Sequence, residues 1–305
     1  MKILTQYEIN DADRFDVTFF KEGNIKAFDG SDAEIIICSR ATAREIIKYN
    51  FPALKLLQLN SAGFENIPLE EYAKKGVYVC NAGAIYAVCM AETVVFGVLQ
   101  VEKRLREDPN NRRFKITRGY NLIGELKGKK AVMLGAGNIA VQVAKRLNAF
   151  DVECYGYDPY CAEKPEFVCI IRDRDGLKKL LTTVDYIINT IPLLDDTVGF
   201  VDNELISAMK KTAVFVNVAR MATVNKADLF EALKKKSIAY AVLDMFEKIP
   251  NPFTNKFRRL KNTVVLPGVS AISKESKENL KVLFAENALR IARKERPLNV
   301  VNGLK

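Results

Sequence analysis

The first chemical signal lies in KKAVMLGAGNIAVQVAKRL, residues 129–147. Gly135 permits a tight turn after a strand, Gly137 lets the backbone approach a pyrophosphate, and Ala140 lets the next helix pack closely on that strand. Asn138 and Ile139 open the helix, where N–H donors and a partial positive charge face phosphates. Asp158 closes a second strand, ECYGYD, 21 residues after Gly137. A carboxylate there accepts hydrogen bonds from the ribose hydroxyls of NAD and repels the added phosphate of NADP. A GxGxxA on its own is weak; its strand–turn–helix setting and the later acid make it a dinucleotide signature. NAD is the expected cofactor. The plainer alternatives are a glycine turn of another α/β fold and an incidental strand-end aspartate.

The second signal is an absence. The 305 residues contain no histidine, so the usual acid–base group at neutral pH is missing. The six cysteines form no CxxC pair and read as buried, reduced thiols, without the close spacing of a zinc site. Net charge is +10, from 47 basic and 37 acidic side chains, and the basic residues are scattered apart from Arg112, Arg113, Lys115 and Arg118. That cluster reads as a solvated connector rather than a nucleic-acid patch, and the surplus charge suits anionic substrates. No apolar run is read as membrane-spanning and no leader is read at the N-terminus, so the expected location is cytoplasmic.

The elements that must position these groups alternate strand and helix, the pattern of parallel α/β sheets. Strands are expected at 2–4, 17–20, 34–38, 54–59 and 77–80, with helices at 42–49 and 69–75. A long helix over about 87–106 carries Met90, Val94, Val95, Val98 and Val101 on one face. Residues 108–111, Asp-Pro-Asn-Asn, break the chain. A second series places strands at 131–134, 153–157, 186–189, 213–218, 239–243 and 263–266. Ile139, Val143, Leu147 and Phe150 are the expected sheet-facing side of the helix after the glycine turn. A last helix spans about 274–294, and PLNVVN at 297–302 is a tail that returns to the first domain. The fold class is α/β: a doubly wound Rossmann sheet over 100–280, plus a flavodoxin-like domain over 1–99 and 281–305.

Over nearly its whole length the chain resembles the D-isomer-specific 2-hydroxyacid dehydrogenases, especially the phosphoglycerate and glycerate dehydrogenase branch. The resemblance is carried by SAGFENI (61–67), the segment from Asn81 to Glu92, GELKGKKAVMLGAGNIA (124–140), TIPLLDDT (190–197), NVARMATVNKADLFEAL (217–233) and LDMFEKIP (243–250). It implies that Arg220 grips a substrate carboxylate and polarises its carbonyl, for which a rigid fork of donors is suited. It implies that Asp244 meets the nicotinamide carboxamide, and that Thr190, Pro192, Val218, Ala219 and Arg220 line the cofactor. The N–H groups of Ala62 and Gly63 would face the substrate. It further implies a small anionic 2-hydroxy or 2-oxo acid as substrate, and a homodimer.

The chain departs from that family in its proton-transfer groups. The family histidine follows the proline of the last strand, where VVLPGVSAIS has Gly268. The family glutamate precedes the proline that closes the block LDMFEKIP, where this chain has Ile249. The histidine would exchange a proton with the substrate hydroxyl while the glutamate orients it and raises its pKa. Both are missing together, and Tyr86 stands where the family has an asparagine. Three readings stay open. The chain is an oxidoreductase with another proton source, such as Tyr86, Lys248, Lys274 or a water polarised by Arg220. Or it binds NAD(H) without chemistry, as a sensor or partner-binding protein. Or it uses the cofactor where hydride and proton transfer are decoupled.

Overall fold

The computed structural model describes residues 1–103, 123–244, 256–266 and 268–304. The expected chain break at 108–111, the basic cluster from Arg112 to Arg118, and the positions of Lys248 and Ile249 lie outside the described residues. The chain divides into two compact units, Met1–Tyr86 with Ile272–Lys305, and Ala87–Ala271. The described helices are α1 (Arg40–Ile46), α2 (Leu69–Lys74), α3 (Gly83–Glu102), α4 (Asn138–Asn148), α5 (Arg174–Leu181), α6 (Asn203–Ala208), α7 (Lys226–Lys235) and α8 (Lys274–Ala292).

The first unit is a five-stranded sheet of β1 (Lys2–Thr5), β2 (Asp16–Phe19), β3 (Ile35–Cys38), β4 (Leu56–Leu59) and β5 (Tyr78–Cys80). Its order is β2-β1-β3-β4-β5 and every pairing is parallel, the flavodoxin-like arrangement. IIIC and LLQL are buried at every position because helices cover both faces of the sheet. Gln58, the polar exception in β4, is bonded rather than exposed: it donates to the Leu59 carbonyl at 2.9 Å and accepts from Asn287 of α8 at 2.6 Å. Phe284, Ala285, Ala288 and Ile291 of α8 pack with Ile3, Ile35 and Ile37. Each such fully buried aliphatic side chain contributes about 1.5–3 kcal/mol. The tail returns as expected, with Val300 bridging Cys80 antiparallel and the Val301 N–H donating to Val79.

The second unit is a seven-stranded parallel sheet of β6 (Lys130–Leu134), β7 (Glu153–Tyr157), β8 (Ile170–Ile171), β9 (Tyr186–Asn189), β10 (Val214–Asn217), β11 (Tyr240–Asp244) and β12 (Thr263–Leu266). Its order is β12-β11-β10-β9-β6-β7-β8. The order reverses between β6 and β9, and the carboxyl ends at such a reversal are where α/β sheets bind ligands. The two-residue strand β8 has no counterpart in the sequence expectation, being too short to show a periodicity.

The units part at Tyr86/Ala87 and Ala271/Ile272, earlier than the breaks expected at 99/100 and 280/281. α3 is one continuous helix, and its Ala87, Met90, Ala91, Val94, Val98 and Val101 are buried. α3 is also long and apolar enough, by length and composition, to cross a membrane, which corrects the expectation that no segment is. The buried stripe accounts for that apolarity as the face of a core helix. Phe150 is a second correction: it lies beyond the end of α4 and is exposed, while Ala140, Val143, Ala144 and Leu147 are the buried side.

Candidate functional site

β6 ends in the glycine turn. Gly135 has φ +84°, and a Cβ there would lie 3.3 Å from backbone atoms of Thr190 and Ile191. Glycine is therefore required twice, for the left-handed backbone and for the close approach of the chain leaving β9. Gly137 is the N-cap of α4, and a Cβ on it would meet nothing within 4 Å. The neighbouring helices of this unit are capped by side chains: Asp173 on α5, Asp202 on α6 and Asn225 on α7. Gly137 supplies no such cap, so the first N–H groups of α4, at Asn138 and Ile139, are left without one. Open space over a glycine and an uncapped helix start fit a dinucleotide pyrophosphate.

Asp158 sits at the end of β7, half-buried. Its carboxylate accepts from the Ala136 N–H at 3.1 Å and the Tyr160 N–H at 3.0 Å. The Ala136 carbonyl accepts from Lys164 Nζ at 2.6 Å and lies 3.9 Å from Cys161 Sγ. The chain after β7 thus wraps the glycine-turn peptide from both sides.

The ends of β9 and β10 carry the next group. Thr190 donates through Oγ1 to the carbonyls of Leu134 at 2.9 Å and Gly135 at 3.1 Å, tying β9 to the turn. Pro192 is exposed, and its carbonyl accepts from Thr197 at 2.7 Å. Val218 and Ala219 are buried. Arg220 is half-buried at the head of a short 3-10 turn, Met221–Thr223. Beneath that turn lies a buried polar network that sequence reasoning missed. Asn189 donates to Asn217 Oδ1 at 3.1 Å and Thr223 Oγ1 at 2.8 Å; Asn217 Oδ1 also accepts from the Ala219 N–H at 3.1 Å; and Thr223 Oγ1 donates to the Arg220 carbonyl at 2.7 Å. All three side chains are fully buried. The available signal was an asparagine closing each of two apolar strands, YIIN and VFVN.

At the ends of β11 and β12, Asp244 is buried and its carboxylate is engaged by groups of its own unit. It accepts from the N–H groups of Val269 at 3.2 Å and Ser270 at 3.1 Å, and from the Ser270 hydroxyl. Gly268, in the place of the family histidine, is buried with φ +76°. Ser270 was not singled out from sequence, because its partner is 26 residues away.

In the first unit, Ser61 Oγ donates to the Gly63 carbonyl at 2.8 Å and Asn81 Nδ2 to the Ala62 carbonyl at 2.8 Å. The loop carbonyls are thereby held, while the N–H groups of Ala62 and Gly63 have no backbone or side-chain acceptor among the described residues. The Tyr86 hydroxyl donates to the Asn60 carbonyl, and burial pushes its pKa up to about 12. Lys274 is exposed at the first residue of α8.

The chain is similar to known proteins. Residues 94–270 match the family described as D-isomer specific 2-hydroxyacid dehydrogenase, NAD binding domain. A glyoxylate reductase of Thermofilum pendens is 33% identical over 256 residues, covering 82% of this chain and 76% of that protein. A D-3-phosphoglycerate dehydrogenase of Methanocaldococcus jannaschii is 30% identical over 281 residues, covering 89% of this chain and 52% of that protein. Among solved structures, an NADPH-dependent glyoxylate/hydroxypyruvate reductase from Sinorhizobium meliloti, in complex with NADP and malonate, superposes with a TM-score of 0.78. It is 23% identical and covers 98% of this chain and 96% of its own, a likeness of fold.

Proposed function

Because the chain belongs to the D-isomer specific 2-hydroxyacid dehydrogenases and carries their NAD-binding domain, we propose that it reduces a small 2-oxo acid with NADH, drawing its proton from a source other than an imidazole–carboxylate pair. The observation that carries this reading is Arg220, seated on the Asn189–Asn217–Thr223 network at the carboxyl end of the sheet that also bears the glycine turn. When bound, the nicotinamide supplies the hydride.

The chain's own residues do the rest. The uncapped start of α4 and Gly137 receive the pyrophosphate, Asp158 the ribose, and Thr190, Pro192, Val218 and Ala219 the remaining cofactor edge. Arg220 takes the carboxylate of the acid and polarises its carbonyl as negative charge develops on oxygen. On the first unit, the N–H groups of Ala62 and Gly63 are read as donors to an anion. Tyr86 is protonated at neutral pH and is the proposed hydroxyl donor, once released from the Asn60 carbonyl. The relatives named glyoxylate reductase and phosphoglycerate dehydrogenase make glyoxylate and phosphohydroxypyruvate the first substrates to try. A homodimer and a cytoplasmic location are part of the same proposal.

A second reading is favoured by the far end of the sheet. Gly268, in the place of the family histidine, offers no titratable group. That substitution suits a protein that binds NAD(H) without turning it over. Purified protein with NADH and glyoxylate, hydroxypyruvate, pyruvate or phosphohydroxypyruvate separates the two by loss of reduced-nicotinamide absorbance. Turnover that Arg220→Ala abolishes supports the reductase. Tight NADH binding without turnover supports the binder.

A further inference from the structure

We propose that the amino end of the seven-stranded sheet carries a second ligand site, a cationic cavity that takes a polyphosphorylated small molecule of the nucleotide class. It stands apart from the reductase reading and does not rest on it. The cavity has a volume of about 940 Å³, within the roughly 300–1,000 Å³ of small-molecule sites. Lys211, Lys234, Lys236 and Lys261 line it, and no Asp or Glu does. Lys211 precedes β10, Lys234 and Lys236 end α7, and Lys261 precedes β12, so parallel pairing gathers them at one end of the sheet. The glycine turn and Asp158 lie at the opposite ends of the strands, one strand length away, roughly 16 Å for the five residues of β11.

The neighbouring lysines are paired: Lys210 with Asp185 at 2.6 Å, and Lys235 with Glu231 at 3.8 Å. The four lining lysines form no ion pair among the described residues. Like charges around one concave space repel each other and focus their field into it, and an anion relieves that repulsion. The dipole of α7 accounts for Lys234 at a helix C-terminus, but not for Lys211 or Lys261. Lys236 has φ +56°, a left-handed position after a helix where glycine is the ordinary choice.

The cavity is held in shape by Asn262, which donates to the carbonyls of Leu233 and Ala239 at 3.0 Å each. Val101, Leu233 and Val264 are buried beneath it as an apolar floor. Gln100 also lines it, and its Oε1 is buried without a hydrogen-bond partner. Such an acceptor calls for an N–H or O–H from the ligand. Cations alone would suit inorganic polyphosphate. An apolar floor with an open acceptor calls for an organic body that carries donors, as a base and ribose do. The confinement of the charge to one cavity argues against nucleic acid, which is met by a stripe or extended patch.

ATP is the probe, titrated by calorimetry into the full chain saturated with NADH, so that the carboxyl-end site is filled. The triple variant Lys211→Gln, Lys234→Gln, Lys261→Gln changes only exposed side chains. It should weaken ATP about ten-fold or more and leave NADH within about two-fold. Gln100→Leu should weaken ATP about three-fold or more and leave inorganic tripolyphosphate unchanged. A wild type that does not bind ATP, or a triple variant that binds it equally well, overturns the site. Tripolyphosphate that binds as tightly as ATP, or Gln100→Leu with unchanged ATP affinity, overturns the nucleotide class. A single-stranded oligonucleotide that binds more tightly than ATP, and loses more affinity in the triple variant, overturns the proposal in favour of a nucleic-acid surface. A wild type that does not bind NADH overturns the cofactor reading, and the ATP titration then decides this site without it.

Discussion

Gly135 and Gly268 stand at the carboxyl ends of strands in one sheet, both with left-handed backbone, φ +84° and +76°, and they do opposite things. After Gly135 the chain turns outward. Gly137 leaves space above it, and the start of α4 keeps its donors uncapped. After Gly268 the chain turns inward, and the N–H groups of Val269 and Ser270 close on Asp244. One turn is built to receive a ligand from outside. The other satisfies its own carboxylate. The same conformational freedom thus serves binding at one end of the sheet and internal closure at the other.

The largest test breaks the outward turn. Gly135→Val puts a branched side chain against the backbone of Thr190 and Ile191, and should weaken NADH binding on the order of 100-fold, read by fluorescence titration. Next is the inward closure. Asp244→Ala leaves three donors unanswered in a buried place and should lower unfolding free energy by about 3 kcal/mol in urea, with Ser270→Ala costing about 1 kcal/mol. Gly268→His restores the family residue in name only. A side chain at φ +76° is strained, so the variant should lose about 1–2 kcal/mol and gain no turnover over the wild type. A rise in turnover would show that the loop tolerates the imidazole and that the inward closure is incidental.

The smallest effect concerns pH. The Tyr86 phenol is raised by burial from 10.0 to about 12. Its contribution to stability is present below pH 10 and is lost as pH rises toward 12, because the unfolded chain gives up the proton first. The stability difference between wild type and Tyr86→Phe should therefore be flat through neutral pH and shrink above pH 10.

The glycine turn and the strand alternation were legible because their signals are local. A φ-permissive residue, a small residue a few positions on, and apolar runs between turns all fall within one element. The closures were not. Ser270 and Asp244 are 26 residues apart, and Asn189 reaches Thr223 across 34. Such pairs exist only once parallel strands lie side by side, so an asparagine closing an apolar strand marks a buried polar group without naming its partner. Phe150 failed for a related reason. The helical period carries past Asn148, where the helix itself stops.

The buried asparagine network also has a kinetic reading. The Ala219 N–H is locked to Asn217 Oδ1, and the Thr223 N–H to the Arg220 carbonyl, over side chains with no solvent exposure. Exchange of these protons with deuterated solvent requires the turn to lift off that buried base, an opening that leaves buried polar groups unpaired. The arginine's perch would then rank among the last places in the chain to take up deuterium, and its guanidinium would move against a base that does not.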